Sequence, residues 1–510
     1  MQRDASGGVR LDGVPSGRTG RTSWRLALLG AAAALPTSAS ADTLREALLQ
    51  AYLTNPTLEG ARAQQRVTDE NVAIEKAASR PDVSATGQYI EFLKQNSTSF
   101  TAPERSIGAG IDLGVPIYSG GAIKNSIRAA ETRVDAGLAD LRGTESAIFT
   151  QVVAAYMDVI RAEALVGLAA NQVDILGVNL QATSDRFEIG DLTRTDVAQS
   201  QARLALAEGD LRSSRSNLIA ARETYIQLVG EAPTNLQPPP PLPNLPDSVA
   251  RAVETALDSN PDLIAAEVRA RAAGYDIDVA GAGRLPRVSV FAGGDYTNYL
   301  GTLGDPGIGA PVGIPQVATS AQAGIQFSLP LYQGGLPAAR ERQAQALASA
   351  ALEQVILVER DVIAQVRSAF ASWQAALAIV ESSQVAVSSA DLSLEGVRAE
   401  NTVGNRTVLD ILDAERELLT ARVELVTARR NAYVAGFSLL AAMGLAEARD
   451  LGLDDAGVLY DPLVNYERAR NSWWDWDRQP DPVTQSTRTV DIPAPDAEIP
   501  AESEPADAIY

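Results

Sequence analysis

Gly114-Val115-Pro116-Ile117-Tyr118-Ser119-Gly120-Gly121 returns 214 residues later as Ser328-Leu329-Pro330-Leu331-Tyr332-Gln333-Gly334-Gly335. The same offset carries Asp196 onto Asp410, Asn217 onto Asn431 and Gly230 onto Gly444. Upstream the offset is 205, taking Asn55-Pro56 to Asn260-Pro261 and Arg80-Pro81 to Leu285-Pro286. One supersecondary unit is therefore present twice, and the nine extra residues of the second copy fall in a loop near 297–317. Each unit reads as a long helix, a two-stranded hairpin and two more long helices.

Working back from the quoted string, the alternation between Arg105 and Ile117 is clean. Ile107, Ala109, Ile111, Leu113, Val115 and Ile117 share one face; Ser106, Gly108, Gly110, Asp112 and Gly114 share the other. The second copy sets Ala321, Ala323, Ile325, Phe327, Leu329 and Leu331 against Ser320, Gln322, Gly324, Gln326 and Ser328. Strands of about ten residues with one apolar and one small polar face suit an outer-membrane barrel. A half-buried strand of a soluble sheet alternates in the same way. Residues 1–41 tip the balance towards the membrane. Arg18, Arg21 and Arg25 precede a short apolar core, Leu26 to Leu35, and an Ala39-Ser40-Ala41 cleavage pattern, so this stretch reads as a signal peptide for export. No later stretch approaches 18 continuous apolar residues, so strands must do any spanning. Open sheet edges cannot face lipid, and bacterial barrels begin at eight strands. Four strands per chain therefore require an oligomer.

Working forward, no Pro occurs between Gly121 and Pro233. Ile148, Val152, Ala155, Val159, Ala162, Val166, Ala169, Val173, Leu176 and Leu180 alternate steps of four and three, a coiled-coil seam. The second copy repeats it from Val362 to Leu394. A helix of roughly 65 residues approaches 100 Å, longer than a globular core requires. Gly190 and Gly404 suit the left-handed position that closes each long helix, and Thr193 and Thr407 suit the N-cap of the returning one.

Composition excludes several functions. With no Cys and no His, disulfides, thiolate metal sites, His-containing triads and the HExxH zinc motif are unavailable. The formal charge of −21 argues against nucleic acid. The passages Pro116, Gly120, Gly121 and Pro330, Gly334, Gly335 lack the Lys and spacing of a phosphate loop and read as sharp strand-to-helix turns. No catalytic residue, cofactor or metal site is expected.

The expected organisation is a signal peptide over 1–41 and a first structural repeat over 42–235. That repeat has strands at about 81–93 and 105–117 and helices at about 43–79, 122–188 and 193–230. A Pro-rich linker, 236–247, leads to a second repeat over 248–446, with strands at about 286–299 and 318–331 and helices at about 248–282, 337–402 and 407–444. A C-terminal aromatic segment, 447–476, is expected to pack on the helices, followed by an acidic, disordered tail over 477–510.

This duplicated arrangement resembles the TolC-type outer-membrane channel family. The residues that carry the likeness are the paired Asn-Pro steps, the two quoted strings, and Gly404-Asn405-Arg406-Thr407-Val408-Leu409-Asp410-Ile411-Leu412-Asp413-Ala414-Glu415. The resemblance covers roughly residues 42–446. It implies a mainly α fold with a membrane β-barrel portion: a homotrimer whose twelve-stranded barrel, four strands per chain, continues into an α-helical periplasmic tunnel. It implies partners too, namely outer-membrane lipid, a periplasmic adaptor protein, and an inner-membrane ABC exporter or proton-driven pump. It also implies a periplasmic gate at the hairpin tips, with Asp410 and Asp413 on one helix face forming a cation-selective ring. A latch from Arg406 to Thr195 and Asp196 would close that gate, although Asn401 stands where the family uses Tyr. Val458-Leu459-Tyr460-Asp461-Pro462-Leu463-Val464-Asn465-Tyr466 with Trp473-Trp474-Asp475-Trp476 resembles the end of members serving type I protein secretion. Expected, then, is a passive export duct for type I secretion, with small-molecule or metal efflux as the alternative. A periplasmic coiled-coil scaffold without a pore is the rival from another class.

Overall fold

The structure, a computed structural model, describes residues 42–94, 103–303, 315–457 and 459–499. The expected signal peptide lies outside these residues, as does part of the loop expected to hold the nine extra residues. Leu44–Thr54 (α1) and Pro56–Ala77 (α2) lead into strands Asp82–Glu91 (β1) and Arg105–Tyr118 (β2). Two long helices follow, Ala122–Glu188 (α3) and Arg194–Val229 (α4). The second copy repeats this as Val249–Ser259 (α5), Pro261–Gly281 (α6), Arg287–Asn298 (β3), Val317–Ser328 (β4), Leu336–Thr402 (α7) and Val408–Ala442 (α8). A short helix, Pro462–Asn471 (α9), comes last.

The single opening helices expected at about 43–79 and 248–282 are each two helices. Proline has no N–H to donate, and it drives the preceding residue out of the helical region. Asn55 (ψ 123°) and Asn260 (ψ 121°) are accordingly extended. Each also caps the helix it starts: Asn55 Oδ1 accepts from Thr57 N at 2.9 Å, and Asn260 Oδ1 accepts from Asp262 N at 3.0 Å. The amide nitrogens of the same residues donate to Leu228 O and Ala442 O, each at 3.0 Å. One residue type thus breaks a helix, caps the next and ties it to the hairpin of its own repeat.

The four strands form one antiparallel sheet in the order β1-β2-β3-β4. Register brings Ile111 opposite Ala85 and Gly294, and Ile325 opposite Val290, so the apolar residues of both copies share one face. Thr86, Gly110, Asp295 and Ser320 share the other. On that polar face Ser320 bonds Asp295 at 3.3 Å, and the Phe291 ring covers Gly324, where a Cβ would come within 2.9 Å of it. The glycines make room for larger inward side chains. The apolar face is bare, with Ile111 at 61 % and Ile325 at 73 % exposure. Among the described residues, edge strands β1 and β4 are unpaired on their outer sides.

At the passages into α3 and α7, Gly120 and Gly121 have φ of +67° and +86°, and Gly334 and Gly335 have +63° and +82°. At Gly120 a side chain is excluded twice over, because a Cβ would lie 2.7 Å from Leu285 Cβ. Pro116 sits at a break in register between β2 and β3.

The core concentrates around the middle of α3. Phe149, Val152, Val153, Tyr156 and Val159 pack with α1, α4 and α8. The Pro-rich linker is fastened there as well: Tyr156 Oη donates within reach of Gln237 O (2.6 Å) and Asp42 O (2.9 Å), and Leu236 is buried.

Two C-terminal expectations are corrected. Residues 477–499, expected to be disordered, have no regular structure, but their last residues lie against the helices. Arg222 Nη1 donates to Asp496 O and Oδ1 (2.9 and 3.0 Å), and its Nη2 donates to Glu498 O at 2.9 Å, while Ala497 and Ile499 pack on the core. A composition rule counts apolar residues and misses a strap held by one buried guanidinium. Only part of the aromatic segment packs on the helices as expected. Ala448, Leu453, Tyr460 and α9 pack, α9 against α2, whereas Trp473, Trp474 and Trp476 are 64 %, 70 % and 83 % exposed.

Candidate gate at the helical hairpin tips

Both tips are closed by the same local chemistry. Gly190 (φ +85°) and Gly404 (φ +81°) are left-handed one residue past the helix caps. Gly190 N donates to Phe187 O and Asp191 N to Arg186 O, both at 2.9 Å; Gly404 N donates to Asn401 O and Asn405 N to Glu400 O, both at 3.0 Å. This double closure satisfies the last carbonyls of each long helix. The returning helices open with full capping boxes, Thr193 with Asp196 and Thr407 with Asp410. Asp410 Oδ2 accepts from Thr407 N (2.8 Å) and Thr407 Oγ1 (2.7 Å), and Asp196 Oδ2 does the same with Thr193 (2.9 and 2.7 Å). These hydrogen bonds hold both carboxyls below the usual range, so both are ionised near neutrality.

Asp410 and Asp413 lie one turn apart at the start of α8. Asp413 bonds Arg203 of α4 at 2.7 Å, and Arg416 stands 3.8 Å away. The two acids therefore differ: one closes its own helix, while the other joins the two hairpins. Within the chain Arg406 is not brought to Thr195 and Asp196. Its Nε donates to Glu400 at 2.7 Å, and Asp410 lies 3.8 Å from its Nη1. Thr195 is exposed, and Asp196 is occupied by Thr193. Asn401 donates to Arg406 O at 2.7 Å, so it braces the second tip from inside.

Above the tips is a polar knot that the sequence reading overlooked. Glu415, with 3 % side-chain exposure, accepts from Asn179 of α3 (3.0 and 3.2 Å) and from Arg398 of α7 (3.1 Å). One carboxylate on α8 thereby ties together helices of both repeats. The available signal was an acid on the otherwise apolar stripe of Leu412, Leu418 and Ala421. No group of carboxylates among the described residues is arranged to hold a metal ion.

Comparison with known proteins places this architecture. The family model described as "Outer membrane efflux protein" matches residues 47–231 and 252–445, one match per repeat. Outer membrane efflux protein BepC of Brucella suis biovar 1 is 33 % identical over 437 residues, covering 86 % of this chain and 92 % of the relative. Outer membrane protein TolC of Vibrio cholerae is 26 % identical, over 85 % of this chain and 98 % of the relative. Alkaline protease secretion protein AprF of Pseudomonas aeruginosa is 28 % identical, over 61 % of this chain and 64 % of the relative. Among solved structures, the CmeC outer membrane channel of Campylobacter jejuni superposes with a TM-score of 0.68 at 16 % identity, over 84 % of this chain and 89 % of that one. The outer membrane protein VceC of Vibrio cholerae gives 0.65 at 22 %, over 79 % and 96 %.

Proposed function

Because this chain belongs to the outer membrane efflux protein family, whose members are outer-membrane channels rather than enzymes, we propose that it is the passive exit duct of a tripartite export system. Its sheet lies in the outer membrane and its helices reach into the periplasm. The observation that carries the proposal is the open four-stranded sheet. Its apolar face is bare, its polar face is lined with small residues, and neither edge is paired among the described residues. Three copies, edge to edge, would give a closed twelve-stranded barrel without an edge in lipid. Energy would come from an inner-membrane pump joined through a periplasmic adaptor.

Type I protein secretion is the proposed service. The likenesses to AprF and to the proteases secretion protein PrtF of Dickeya chrysanthemi support it. Efflux of small molecules is the second reading, favoured by the 33 % identity to BepC. In either case the tips are proposed as the gate, with Asp410 and Asp413 of three copies forming a cation-selective ring. The latch implied by the resemblance would require Arg406 to exchange Glu400 for Thr195 and Asp196.

One experiment tests the duct and the ring. The purified chain should migrate as a trimer in detergent and conduct ions in planar bilayers. D410N/D413N should conduct with weaker cation selectivity, the trimer remaining intact because its seams are carried by other residues. A monodisperse monomer without conductance would overturn the duct, whereas a conducting trimer of unchanged selectivity would remove only the ring.

A further inference from the structure

We propose that the Trp473-Trp474-Asp475-Trp476 segment and a basic groove at the foot of β2 together bind phospholipid of the periplasmic leaflet, the Trp rings at the interface and the groove on an anionic headgroup. The inference uses the outer-membrane placement of the sheet but not the cargo, the gate or the pump.

Three adjacent indoles exposed to water are unusual for a soluble surface. Their position explains them. Helix α9 is fixed to α2 and α3: Asn465 donates to Asp69 at 2.6 Å, Arg468 donates to Glu70 at 2.6 Å, and Arg470 lies 3.7 Å from Glu131. The chain leaving α9 then sets the Trp473 ring 4.6 Å from the guanidinium of Arg80, two residues before β1 begins. The indoles thus stand where helix passes into strand, the depth at which Trp and Tyr concentrate on membrane proteins.

Beside them, Lys124 and Arg128, one turn apart on the first turns of α3, line a groove of about 490 Å³ with Ser79, Ile117 and Tyr118. Ile117, 63 % exposed, continues the apolar alternation of β2. Neither cation has an ion-pair partner among the described residues. The one carboxylate lining the groove, Glu131, is already shared by Lys76 (3.8 Å) and Arg470 (3.7 Å). Two uncommitted cations at the lower end of a lipid-facing strand complement a phosphate whose acyl chains run up the apolar face. Free phosphate would use the cations and leave the indoles without a role.

The second repeat lacks the site. Residues 214 positions on from Lys124 and Arg128 are Ala338 and Arg342, and the counterpart of Ile127 is Glu341, which pairs with Arg284 at 2.7 Å. The site therefore occurs once per chain, where the C-terminal segment reaches.

The test uses the chain from Asp42 onward, without the expected signal peptide and its Trp24, in proteoliposomes. Lipids brominated near the headgroup should quench Trp fluorescence, and W473F/W474F/W476F should lower that quenching at least about twofold, leaving Trp373 of α7 as the internal reference. Phenylalanine keeps the aromatic bulk, so trimer yield is expected to be unchanged. In a second arm, the detergent-solubilised protein is titrated with phosphatidylglycerol and with phosphatidylcholine. K124Q/R128Q should bind phosphatidylglycerol about thirtyfold more weakly and lose its preference over phosphatidylcholine, while millimolar inorganic phosphate should fail to compete. Equal quenching in parent and Phe variant would overturn the anchor and give the segment to a neighbouring copy. Full competition by inorganic phosphate would overturn the lipid as occupant.

Discussion

Helices α3 and α7 are both 67 residues long and carry the same seam at the same offset, yet α3 buries twenty residues where α7 buries nine. On α7 the few buried positions meet this repeat's own helices: Ala390 and Leu394 pack on α8, and Val362, Val366 and Phe370 pack with α5, α6 and α8. On α3 a second face is buried as well, through Phe149, Val153, Tyr156, Met157 and Ile160, because α1, the linker and the C-terminal segment wrap around it. The outward positions differ to match. Leu347, Leu377 and Val385 of α7 are 64 %, 46 % and 62 % exposed, and their counterparts on α3 are Arg133, Glu163 and Asn171. Duplication preserved the seam each hairpin needs for itself, and the two outer faces then took different occupants. The first repeat is covered by this chain's own appendages. The second keeps a bare apolar face, the kind of surface that the trimer proposal needs against a neighbouring copy.

The largest expected effect falls where the repeats do not differ. I111K and I325K each place a charge on the apolar face of the sheet, at about 2–4 kcal/mol per copy near the bilayer midplane, and both should abolish trimer recovery on gels. Q326K, on the polar face, should leave assembly intact. Gly110 is a poor polar-face probe, since a Cβ there would lie 3.0 Å from Asp295 Oδ1. Tolerance of I325K with loss at I111K would extend the asymmetry of the helices into the barrel.

The comparison sharpens at Arg222, whose counterpart 214 residues on is Gly436. Arg222 (8 % exposed) joins Glu163 at 2.8 Å to the strap at Asp496 and Glu498. Gly436 instead makes room for Leu242 and Trp373. R222A strands a largely buried carboxylate and frees the strap. It should cost about 3 kcal/mol in denaturant unfolding and speed proteolytic loss of residues 486–499. G436A meets only the flexible end of Leu242 and the Trp373 ring, so about 1 kcal/mol is expected. Equal costs would mean that the strap does not secure the first repeat.

The smallest effect is a pH dependence confined to the first repeat. Glu145 of α3 accepts the N–H of Ala448, and its removal from water pushes its pKa up to about 7, with Glu447 adding to the rise and Arg62 and Arg449 opposing it. The folded state therefore holds a proton that the unfolded chain releases near pH 4.3, the ordinary glutamate value. Stability should fall as pH rises from about 4.5 to about 7 and then level off. E145Q should remove that slope and gain roughly 1–3 kcal/mol above pH 7, read from urea midpoints across pH. A slope unchanged by E145Q would assign the titration to another group, Glu447 first, since burial raises its pKa as well.

Much of the fold was written locally and so could be read from the chain. Two left-handed glycines close the long helices and two threonines start the returning ones, whereas the prolines that break the opening helices after Asn55 and Asn260 were equally local signals that the expected single helices passed over. Strand faces follow from a period of two and helix seams from a period near 3.5, and such signals act between near neighbours. The tertiary structure alone decided which charges meet. Arg222 finds Asp496, Glu145 finds Ala448 and Glu415 finds Asn179 across more than two hundred residues each, so no spacing rule could pair them. It also decided that the acidic tail becomes a strap and that the tryptophans stand bare at the foot of the sheet. Composition says how apolar a segment is, but only the packed chain says whether one guanidinium waits for it or one face is left for a bilayer to cover.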